Sequence, residues 1–251
     1  MPRFFVTAGQ VVSGRAEVRG ADAAHLARSL RARAGEEVVV VDDAGREHGV
    51  ILDEVTPARV GGRVAWSRVA TGEPQLRLTV LQAIPQQGMD DAVSAMATAG
   101  VSAIVPVVSR RTVVRPGADR AAARTARWSA LVREAAGLAH RGAVPTVQPP
   151  TTLEAAVRAL TPGTRLLVAD PDAQEPLVGM PIDPAVPWAL VIGPEGGLEA
   201  AELQWLTARA ADRRHLGPRI MPARLAGVLA ATILIAAAGG LGTPPAAASG
   251  I

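Results

Sequence analysis

Five short apolar runs alternate with segments of helical character from residue 77 to the end of the chain. We predict strands at 77–84, 102–108, 165–169, 188–192 and 213–217, and helices at 89–99, 120–140, 152–160, 199–210 and 223–238. Short apolar strands bounded by glycine and proline indicate a parallel sheet that is covered on both faces by helices. The pattern therefore predicts an α/β domain over 77–251.

The first 70 residues follow a different pattern, in which short strands succeed one another. An apolar run at 38–41 leads into the turn residues Asp43-Ala44-Gly45. An alternating segment at 47–55 follows the turn as a returning strand. This arrangement is typical of a β-hairpin. The turn-like sequence at 71–74, Thr-Gly-Glu-Pro, marks a break. We expect a β-rich domain over 1–70 and a linker over 71–76.

Composition excludes several classes of site. The chain contains no cysteine, so disulfides, thiolate zinc sites and cysteine nucleophiles are ruled out. Its four histidines stand singly, and we therefore expect no metal. The N-terminus has no long apolar run after its charge, and the uncharged run 225–241 is rich in alanine and glycine. We interpret that run as a buried helix rather than a membrane span, and we expect a cytoplasmic protein with no membrane partner.

Basic residues are concentrated in one segment. All 26 basic residues are arginines, and the net charge of the 251 residues is only +3. The segment 108–142 holds eight arginines against two acidic residues. Such a segment can neutralise phosphates, and it is equally compatible with a solvated helix face.

A glycine-rich turn gives the sharpest local signal. The apolar run that ends at Ile192 continues into Gly193-Pro194-Glu195-Gly196-Gly197, and a helix is expected to start near Leu198. Glycines after a strand allow the backbone to approach a ligand closely, although a tight structural turn would look the same. The order matches neither GxGxxG nor a P-loop, so those nucleotide-binding motifs are excluded.

A second loop of similar composition follows the next predicted strand. It runs from His215 to Met221 with the sequence His-Leu-Gly-Pro-Arg-Ile-Met and leads into the C-terminal apolar helix. Two such loops then lie at the carboxyl ends of successive strands, which is the edge where open α/β sheets bind ligands.

These two loops and their spacing resemble the RsmE family of SPOUT (alpha/beta-knot) methyltransferases, which methylate N3 of a uridine in small-subunit ribosomal RNA. The resemblance extends over most of the chain in the same order. The segments that carry it are 2–6 (PRFFV), 25–31 (HLARSLR), 35–38 (GEEV), 43–45 (DAG), 104–106 (IVP), 110–114 (RRTVV), 134–136 (EAA), 193–197 (GPEGG) and 216–220 (LGPRI).

The resemblance implies a fold, a cofactor and partners. The fold would be an N-terminal PUA-like β-barrel of the RNA-binding type followed by a SPOUT α/β domain with a C-terminal trefoil knot. The chain would be a homodimer that binds S-adenosylmethionine and acts on ribosomal RNA or the small ribosomal subunit. The residues expected to bind the cofactor are Ala169, Ile192, Gly193, Glu195, Gly196, Gly197, Leu216, Gly217, Arg219, Ile220 and Met221. Those expected to contact RNA are Arg3, Arg28, Arg110, Arg111 and Arg141.

Departures from the family pattern lie in the motifs on the substrate side. The last loop of the family reads close to Leu-Arg-Thr-Glu-Thr-Ala, whereas residues 221–226 of this chain read Met-Pro-Ala-Arg-Leu-Ala. Removing the proton of uracil N3 requires a base, or a cation that stabilises the anion. Since Pro222 stands where the family has arginine, the candidate catalytic cations are Arg224, Arg219 and Arg141.

Three functions are compatible with these observations. The first is an RsmE-like ribosomal RNA uridine methyltransferase. The second is a SPOUT paralogue that uses the same cofactor pocket on a small metabolite or peptide, since Leu138, Ala139, Ala223 and Leu225 would make the acceptor pocket more apolar. The third is a non-catalytic RNA-binding protein on the same scaffold.

Overall fold

A computed structural model describes residues 2–242, and its contacts divide them into two compact units. One unit comprises residues 2–73 together with Ala136–Val144, and the other comprises Pro74–Ala135 and 145–242. The division at residue 73 lies within the linker expected over 71–76. The segment Ala136–Val144, which the sequence assigned to the second domain, groups with the first unit instead.

The first unit contains a six-stranded sheet in the order β1-β4-β5-β6-β3-β2. Its strands are β1 (Arg3–Phe5), β2 (Val11–Val12), β3 (Arg15–Arg19), β4 (Glu37–Val41), β5 (Arg46–Val55) and β6 (Arg59–Val69). The pairing of β1 with β4 is parallel, and the other pairs are antiparallel. The predicted hairpin is confirmed as β4 and β5, whose connecting turn includes Gly45 at φ +73°.

A short helix closes the core of the first unit. Helix α1 (Gly20–Ala24) continues into a π-helical segment at His25–Ser29, and this segment buries Leu26 completely. The side chains around Leu26 come from alternate positions of the strands, because successive residues of a strand point to opposite faces. They include Phe4, Val18, Val38, Val40, Val50, Leu52 and Val60.

The second unit contains a seven-stranded sheet in which every pairing is parallel. The main order is β10-β8-β7-β12-β11-β13, and β9 also pairs with β8. Its strands are β7 (Leu78–Ala83), β8 (Ala103–Val108), β9 (Thr146–Val147), β10 (Thr151–Thr152), β11 (Arg165–Ala169), β12 (Trp188–Ile192) and β13 (Asp212–Arg214). All five residues of β12 are buried, as expected for a strand with neighbours on both sides and helices on both faces. The predicted parallel α/β class is confirmed.

Four of the helices in the C-terminal part of the chain have clear start or stop signals. The C-terminal part of the chain contains the five helices α2 (Met89–Ala99), α3 (Ala118–Leu138), α4 (Leu153–Arg158), α5 (Ala200–Thr207) and α6 (Ala223–Ala237). Left-handed glycines at 88 and 100 bound α2, the Thr152 hydroxyl caps α4, and α5 begins with a capping box of Glu199 and Glu202. Pro222 precedes the first turn of α6.

Helix α6 packs on α2, β7 and β12, and it buries small residues, including Ala226, Gly227 and Ala230, against them. The expectation of a buried C-terminal helix is confirmed, and within residues 2–242 no helix has the length and apolarity that crossing a membrane would need.

The predicted strand 213–217 is wrong in its second half. The strand ends at Arg214, and the next residue, His215, pairs instead with Pro176, outside the named strands.

Candidate functional site

Three neighbouring parallel strands end at one edge of the second sheet, and the loops that follow them line a single cavity. The strands lie in the order β12-β11-β13, and the cavity has a volume of about 530 Å3. Loop residues at this edge come from three distant parts of the chain. The lining consists of Arg111, 168–172, 192–198, Leu203, Leu216, Gly217, 219–223 and Ala226.

The loop after β12 is a tight turn. The Gly197 backbone N–H donates to the Pro194 carbonyl oxygen at 2.8 Å, and Gly197 adopts φ +70°. A Cβ atom at Gly193 would lie 3.3 Å from the backbone nitrogen and Cγ of Leu198. These two glycines allow the chain to leave the strand and enter helix α5 within a few residues, so that backbone forms this wall of the cavity.

Two carboxylates hold this turn in place. Glu195 Oε1 accepts a hydrogen bond of 2.9 Å from the Gln86 backbone N–H, in the loop after β7. The buried carboxylate of Glu202 accepts from the backbone N–H of Arg110 at 2.9 Å and from that of Glu199 at 2.8 Å. The Glu195 side chain is therefore engaged by the protein, although the residue lines the cavity as the sequence predicted.

The loop after β13 forms the opposite wall. His215 Nδ1 accepts a hydrogen bond of 3.0 Å from the Gly217 backbone N–H. The φ of +100° at Gly217 is one that residues with a Cβ atom rarely adopt. At the end of the loop, the Pro222 carbonyl accepts from the backbone N–H groups of Leu225 at 2.8 Å and Ala226 at 3.0 Å, which starts helix α6.

The third wall follows β11 and contains an ion pair whose carboxylate, that of Asp170, is buried. Asp170 Oδ2 accepts a hydrogen bond of 2.7 Å from Arg213 Nε, and Asp170 Oδ1 accepts one of 3.1 Å from the Asp172 backbone N–H. The next residue of β13, Arg214, donates to Asp212, and this hydrogen bond raises the pKa of the Arg214 guanidinium. The charges of Asp170, Arg213 and Arg214 are thus engaged in ion pairs at this edge of the sheet.

The structure brings together all the residues that the sequence predicted for cofactor binding, since each of them lines this one cavity. Several lining residues were not predicted, including Asp172, Leu198, Leu203 and Ala226. Asp172 lies just after the end of β11. The position of this predicted strand could have indicated that Asp172 lines the cavity. Leu203 and Ala226 lie on helices, and their contribution depends on helix packing that no local pattern reveals.

The three candidate catalytic arginines lie in different environments. Arg219 lines the cavity and has no hydrogen bond or ion pair within the described part of the chain. The Arg224 side chain instead packs over Gly88, where a Cβ atom would come within 2.7 Å of Arg224 Cδ. Arg141 belongs to the first unit and is 3% exposed, and its Nε and Nη2 donate to the Glu73 carboxylate at 3.0 and 2.6 Å. The Arg141 guanidinium is thus engaged by Glu73 within the first unit.

The arginines predicted to contact RNA also differ in their surroundings. Arg28 and Arg110 are exposed, and Arg110 Nε lies 3.9 Å from Glu199 Oε2. Arg111 lines the cavity, where its Nη1 donates to the Gly196 carbonyl at 2.9 Å. Arg3 is mostly buried, and its Nη2 lies 2.5 Å from Glu47 Oε2, a carboxylate that Arg68 also contacts, so its guanidinium is engaged within the first unit.

The side chains that line the cavity are of mixed chemical character. Within residues 2–242, no group of three or more histidine, aspartate or glutamate side chains is placed to hold a metal ion. The cavity presents glycine backbone, apolar side chains, two arginines and three carboxylates. Such a lining suits an organic ligand of mixed polarity and charge.

Comparison with known proteins identifies the family. A family model described as an RNA methyltransferase domain matches residues 72–235. A ribosomal RNA small subunit methyltransferase E from Mycobacterium bovis is 30% identical over 222 residues, which cover 86% of this chain and 84% of that protein.

Solved structures agree in fold. A ribosomal RNA small subunit methyltransferase E from Neisseria gonorrhoeae, bound to S-adenosyl methionine, has a TM-score of 0.81 at 27% identity, covering 94% of this chain and 96% of its own. A putative methyltransferase from Legionella pneumophila has a TM-score of 0.82 at 23% identity, covering 94% and 98%. With the family model and the mycobacterial relative, these similarities show that the chain belongs to the RsmE family of RNA methyltransferases, as its sequence predicted.

Proposed function

We propose that this protein is an S-adenosylmethionine-dependent methyltransferase that methylates N3 of a uridine in small-subunit ribosomal RNA. The observation that carries this proposal is the cavity shared by the loops after β11, β12 and β13. The relative from Neisseria gonorrhoeae has S-adenosyl methionine bound and is similar to this chain over 94% of its length. We infer that this chain binds the same cofactor as that relative. We also infer that it acts on the substrate that the relatives' names give, which is small-subunit ribosomal RNA.

The residues of the cavity fit the cofactor. A volume of about 530 Å3 lies within the range of small-molecule sites. The apolar side chains of Ile192, Leu198 and Leu203 suit an adenine ring, and the glycine turn lets backbone groups reach its polar edge. The Asp172 carboxylate suits the positive charges of the cofactor.

The cofactor, when bound, supplies an electrophilic methyl group. The protein must then hold the acceptor close to that group and stabilise the negative charge that develops on the uracil ring. Arg219 is the candidate for this stabilisation within the cavity, because its guanidinium has no partner in the described part of the chain. The loops at 193–197 and 216–221 would hold the cofactor between them and orient it toward the acceptor.

We also propose that this chain has the two domains that the family resemblance implies. We propose that residues 1–70 form a PUA-like barrel and that 77–251 form a SPOUT domain with a trefoil knot, joined by a linker over 71–76. Support comes from the antiparallel pairs of the first sheet, the parallel second sheet, and α6 following the loop that lines the cavity. Arg28, Arg110 and Arg111 would contact the RNA, and the protein would act in the cytoplasm.

We also propose a homodimer. Leu225 and Leu229 lie four residues apart on α6 and are 45% and 41% exposed. Residues at this spacing share one helix face, so α6 presents an apolar stripe next to the cavity. A second copy of the chain would cover such a stripe, as in a symmetric interface.

The test is incorporation of labelled methyl groups from S-adenosylmethionine into purified small ribosomal subunits. We expect modification at a uridine N3, with activity lowered about tenfold or more in Arg219→Ala, since a cation at the developing charge is removed. Arg158→Ala is the matched control, because Arg158 is exposed at the end of α4 and lines neither this cavity nor its loops. The proposal fails if the wild type binds S-adenosylhomocysteine but transfers no methyl group to uridine.

A second candidate acceptor follows from the apolar residues at the end of the cavity. Pro222 and Ala223 line it where the family pattern has arginine and threonine. A SPOUT paralogue that methylates a small metabolite or peptide would use such a surface. Turnover of such an acceptor without RNA, combined with no activity on ribosomal subunits, would favour this candidate over the first.

A further inference from the structure

The loop after β8, residues 109–115, carries two of the arginines that the proposed function assigns to RNA, and we call it the basic loop. Its own side chains give it a defined shape. The buried hydroxyl of Thr112 accepts a hydrogen bond of 2.9 Å from the Ser109 backbone N–H and lies 2.9 Å from Ser109 Oγ. Arg115 Nη2 donates to the carbonyl oxygens of Ser109 at 3.1 Å and Arg110 at 2.7 Å. The basic loop is therefore ordered by contacts within itself.

One buried carboxylate, that of Glu202, joins the basic loop to the turn after β12. Its Oε1 accepts a hydrogen bond of 2.9 Å from the Arg110 backbone N–H. Its Oε2 accepts one of 2.8 Å from the Glu199 backbone N–H, where the turn enters helix α5. Beside this link, Arg111 Nη1 donates to the Gly196 carbonyl at 2.9 Å. The basic loop and the cofactor turn thus belong to one hydrogen-bonded assembly.

The burial of Glu202 indicates what this link contributes. Glu202 is 3% exposed and has no ion pair in the described part of the chain. Burying a carboxylate without a cationic partner costs solvation free energy, which backbone N–H groups have to offset. The cofactor turn is already closed by the hydrogen bond from Gly197 to Pro194, and Glu195 ties it to Gln86. What these contacts do not supply is the placement of the basic loop.

We infer that Glu202 is a positioning residue for RNA binding, because it fixes the backbone of the basic loop beside the cofactor turn. Glu202 engages only the backbone N–H of Arg110, and the Arg110 side chain is 62% exposed. An arginine on a fixed backbone loses less conformational freedom on binding a phosphate than one on a mobile loop. The inference rests on the proposed function, because it names the residue that places the RNA contacts of that function.

The experiment measures RNA affinity by fluorescence anisotropy, with a uridine-containing oligoribonucleotide in the presence of S-adenosylhomocysteine. Glu202→Gln keeps the size of the side chain, but its amide nitrogen cannot accept a hydrogen bond, so one backbone N–H loses its partner. Thr152→Ala is the matched control, because it removes a side-chain acceptor from the start of α4, outside the cavity lining. Arg110→Ala is made in the wild type and in each of these variants.

We expect Arg110→Ala to weaken RNA binding about threefold to fivefold in the wild type and in Thr152→Ala, since a phosphate contact is lost. Glu202→Gln alone should weaken RNA binding about fivefold, and adding Arg110→Ala should weaken it less than about twofold further, because the arginine is already displaced. Thr112→Val loosens the same loop from within and should give the same non-additive pattern.

Affinity for S-adenosylhomocysteine, measured by calorimetry, separates positioning of the basic loop from a general loss of structure. It should change less than about twofold in Glu202→Gln, since the cofactor turn keeps its other contacts. An equal loss of RNA and cofactor affinity would overturn the inference, because Glu202 would then act on the whole edge of the sheet.

Three further results would overturn the inference. They are a full effect of Arg110→Ala in the Glu202→Gln background, no effect of Arg110→Ala in the wild type, and equal RNA affinity of Glu202→Gln and Thr152→Ala. If the wild type transfers no methyl group, the proposed function fails, and the RNA-binding comparison still decides the inference.

Discussion

At the scale of single residues, the walls of the cofactor cavity depend on backbone conformations that glycine adopts at low cost. Gly197 at φ +70° and Gly217 at φ +100° each lie in a strand-end loop that lines the cavity. For residues with a Cβ atom the left-handed region is disfavoured by about 1–2 kcal/mol. The position of these walls is therefore encoded in two residues without side chains.

Substituting Gly217 separates loop geometry from overall stability. No atom lies within 4 Å of a Cβ at Gly217, so Gly217→Ala introduces backbone strain without a clash. We expect the loop to relax and the Kd for S-adenosylhomocysteine to rise about tenfold, because backbone groups change position. Calorimetric titration measures this effect.

Gly163→Ala is the matched control for that change. Gly163 adopts φ +83°, also has open space around it, and lies in a turn before β11 that does not line the cavity. Both variants should lose similar thermal stability. Equal cofactor affinity in the two variants would contradict the function assigned to the Gly217 loop.

Asp42 in the first unit gives a prediction on pH. Its Oδ1 accepts from the backbone N–H groups of Ala44 at 3.0 Å and Arg46 at 2.9 Å, and its Oδ2 lies 3.1 Å from His48 Nε2. Burial alone would raise the pKa of Asp42, but the hydrogen bonds from Arg46 and His48 hold this pKa below its usual value. Its carboxylate therefore stabilises the folded state above the unfolded pKa, and this contribution is lost as the pH falls through the folded pKa.

We expect Asp42→Asn to lower the free energy of unfolding by about 1–3 kcal/mol at neutral pH, because buried donors lose a charged acceptor. The difference from wild type should shrink below about pH 4, where the wild-type carboxyl becomes protonated. Urea unfolding at several pH values measures it. Asp53→Asn breaks an exposed pair with Arg15 and should have a smaller effect that salt removes. A pH-independent difference for Asp42→Asn would contradict this account.

At the scale of elements, helix α6 is fixed to the sheet by a buried amide. Gln82 in β7 is fully buried, and its Nε2 donates to the carbonyl of Ala223 at 3.2 Å and to that of Ala83 at 3.0 Å. Its Oε1 faces Gly227, where a Cβ atom would approach to 2.2 Å. The start of α6, which lines the cavity, is thus positioned by a side chain from the middle of the sheet.

This contact reverses the usual effect of alanine in a helix. Replacing glycine by alanine in a helix interior normally stabilises by about 0.5–1 kcal/mol. Gly227→Ala should instead destabilise by about 1–3 kcal/mol, since the core around Gln82 is overpacked. Thermal unfolding of Gly227→Ala, Gln82→Ala and the double variant tests this. The double variant should be more stable than the sum of the two single effects predicts, and strict additivity would contradict the contact.

The elements also show what the sequence could predict. The apolar strands β7, β8, β11 and β12 were located to within one residue at each end, because their burial requires consecutive apolar residues. The two-residue strands β9 and β10 carry too little pattern to be detected.

The same physical reasons separate the predicted and unpredicted parts of the site. The two glycine loops could be placed at one sheet edge because parallel strands bring their carboxyl ends together. The direction of the Arg224 side chain depends on which face of α6 meets Gly88, and the pairing of Arg141 with Glu73 joins residues 68 positions apart. Neither contact has a signal in local sequence.

At the scale of the whole molecule, the apolar stripe of α6 predicts self-association. The double variant Leu225→Glu with Leu229→Glu places two negative charges on the exposed face of the helix. A symmetric interface between two copies would bring four negative charges together, and their repulsion would oppose association. Light scattering after size exclusion should give a dimer for wild type and a monomer for the variant. Leu138→Glu is the control, since Leu138 is exposed at the end of α3. A monomeric wild type would contradict the homodimer.

Methyl transfer by this protein requires that the cavity between residues 193–197 and 216–221 be the cofactor site. A crystal structure of the protein with S-adenosylhomocysteine tests this most directly. We predict that the ligand lies between these two loops, with its adenine against Ile192 and Leu198 and its polar edge on loop backbone. Ligand density at another place on the protein, or an unchanged cavity at a concentration that saturates binding in solution, would contradict the account.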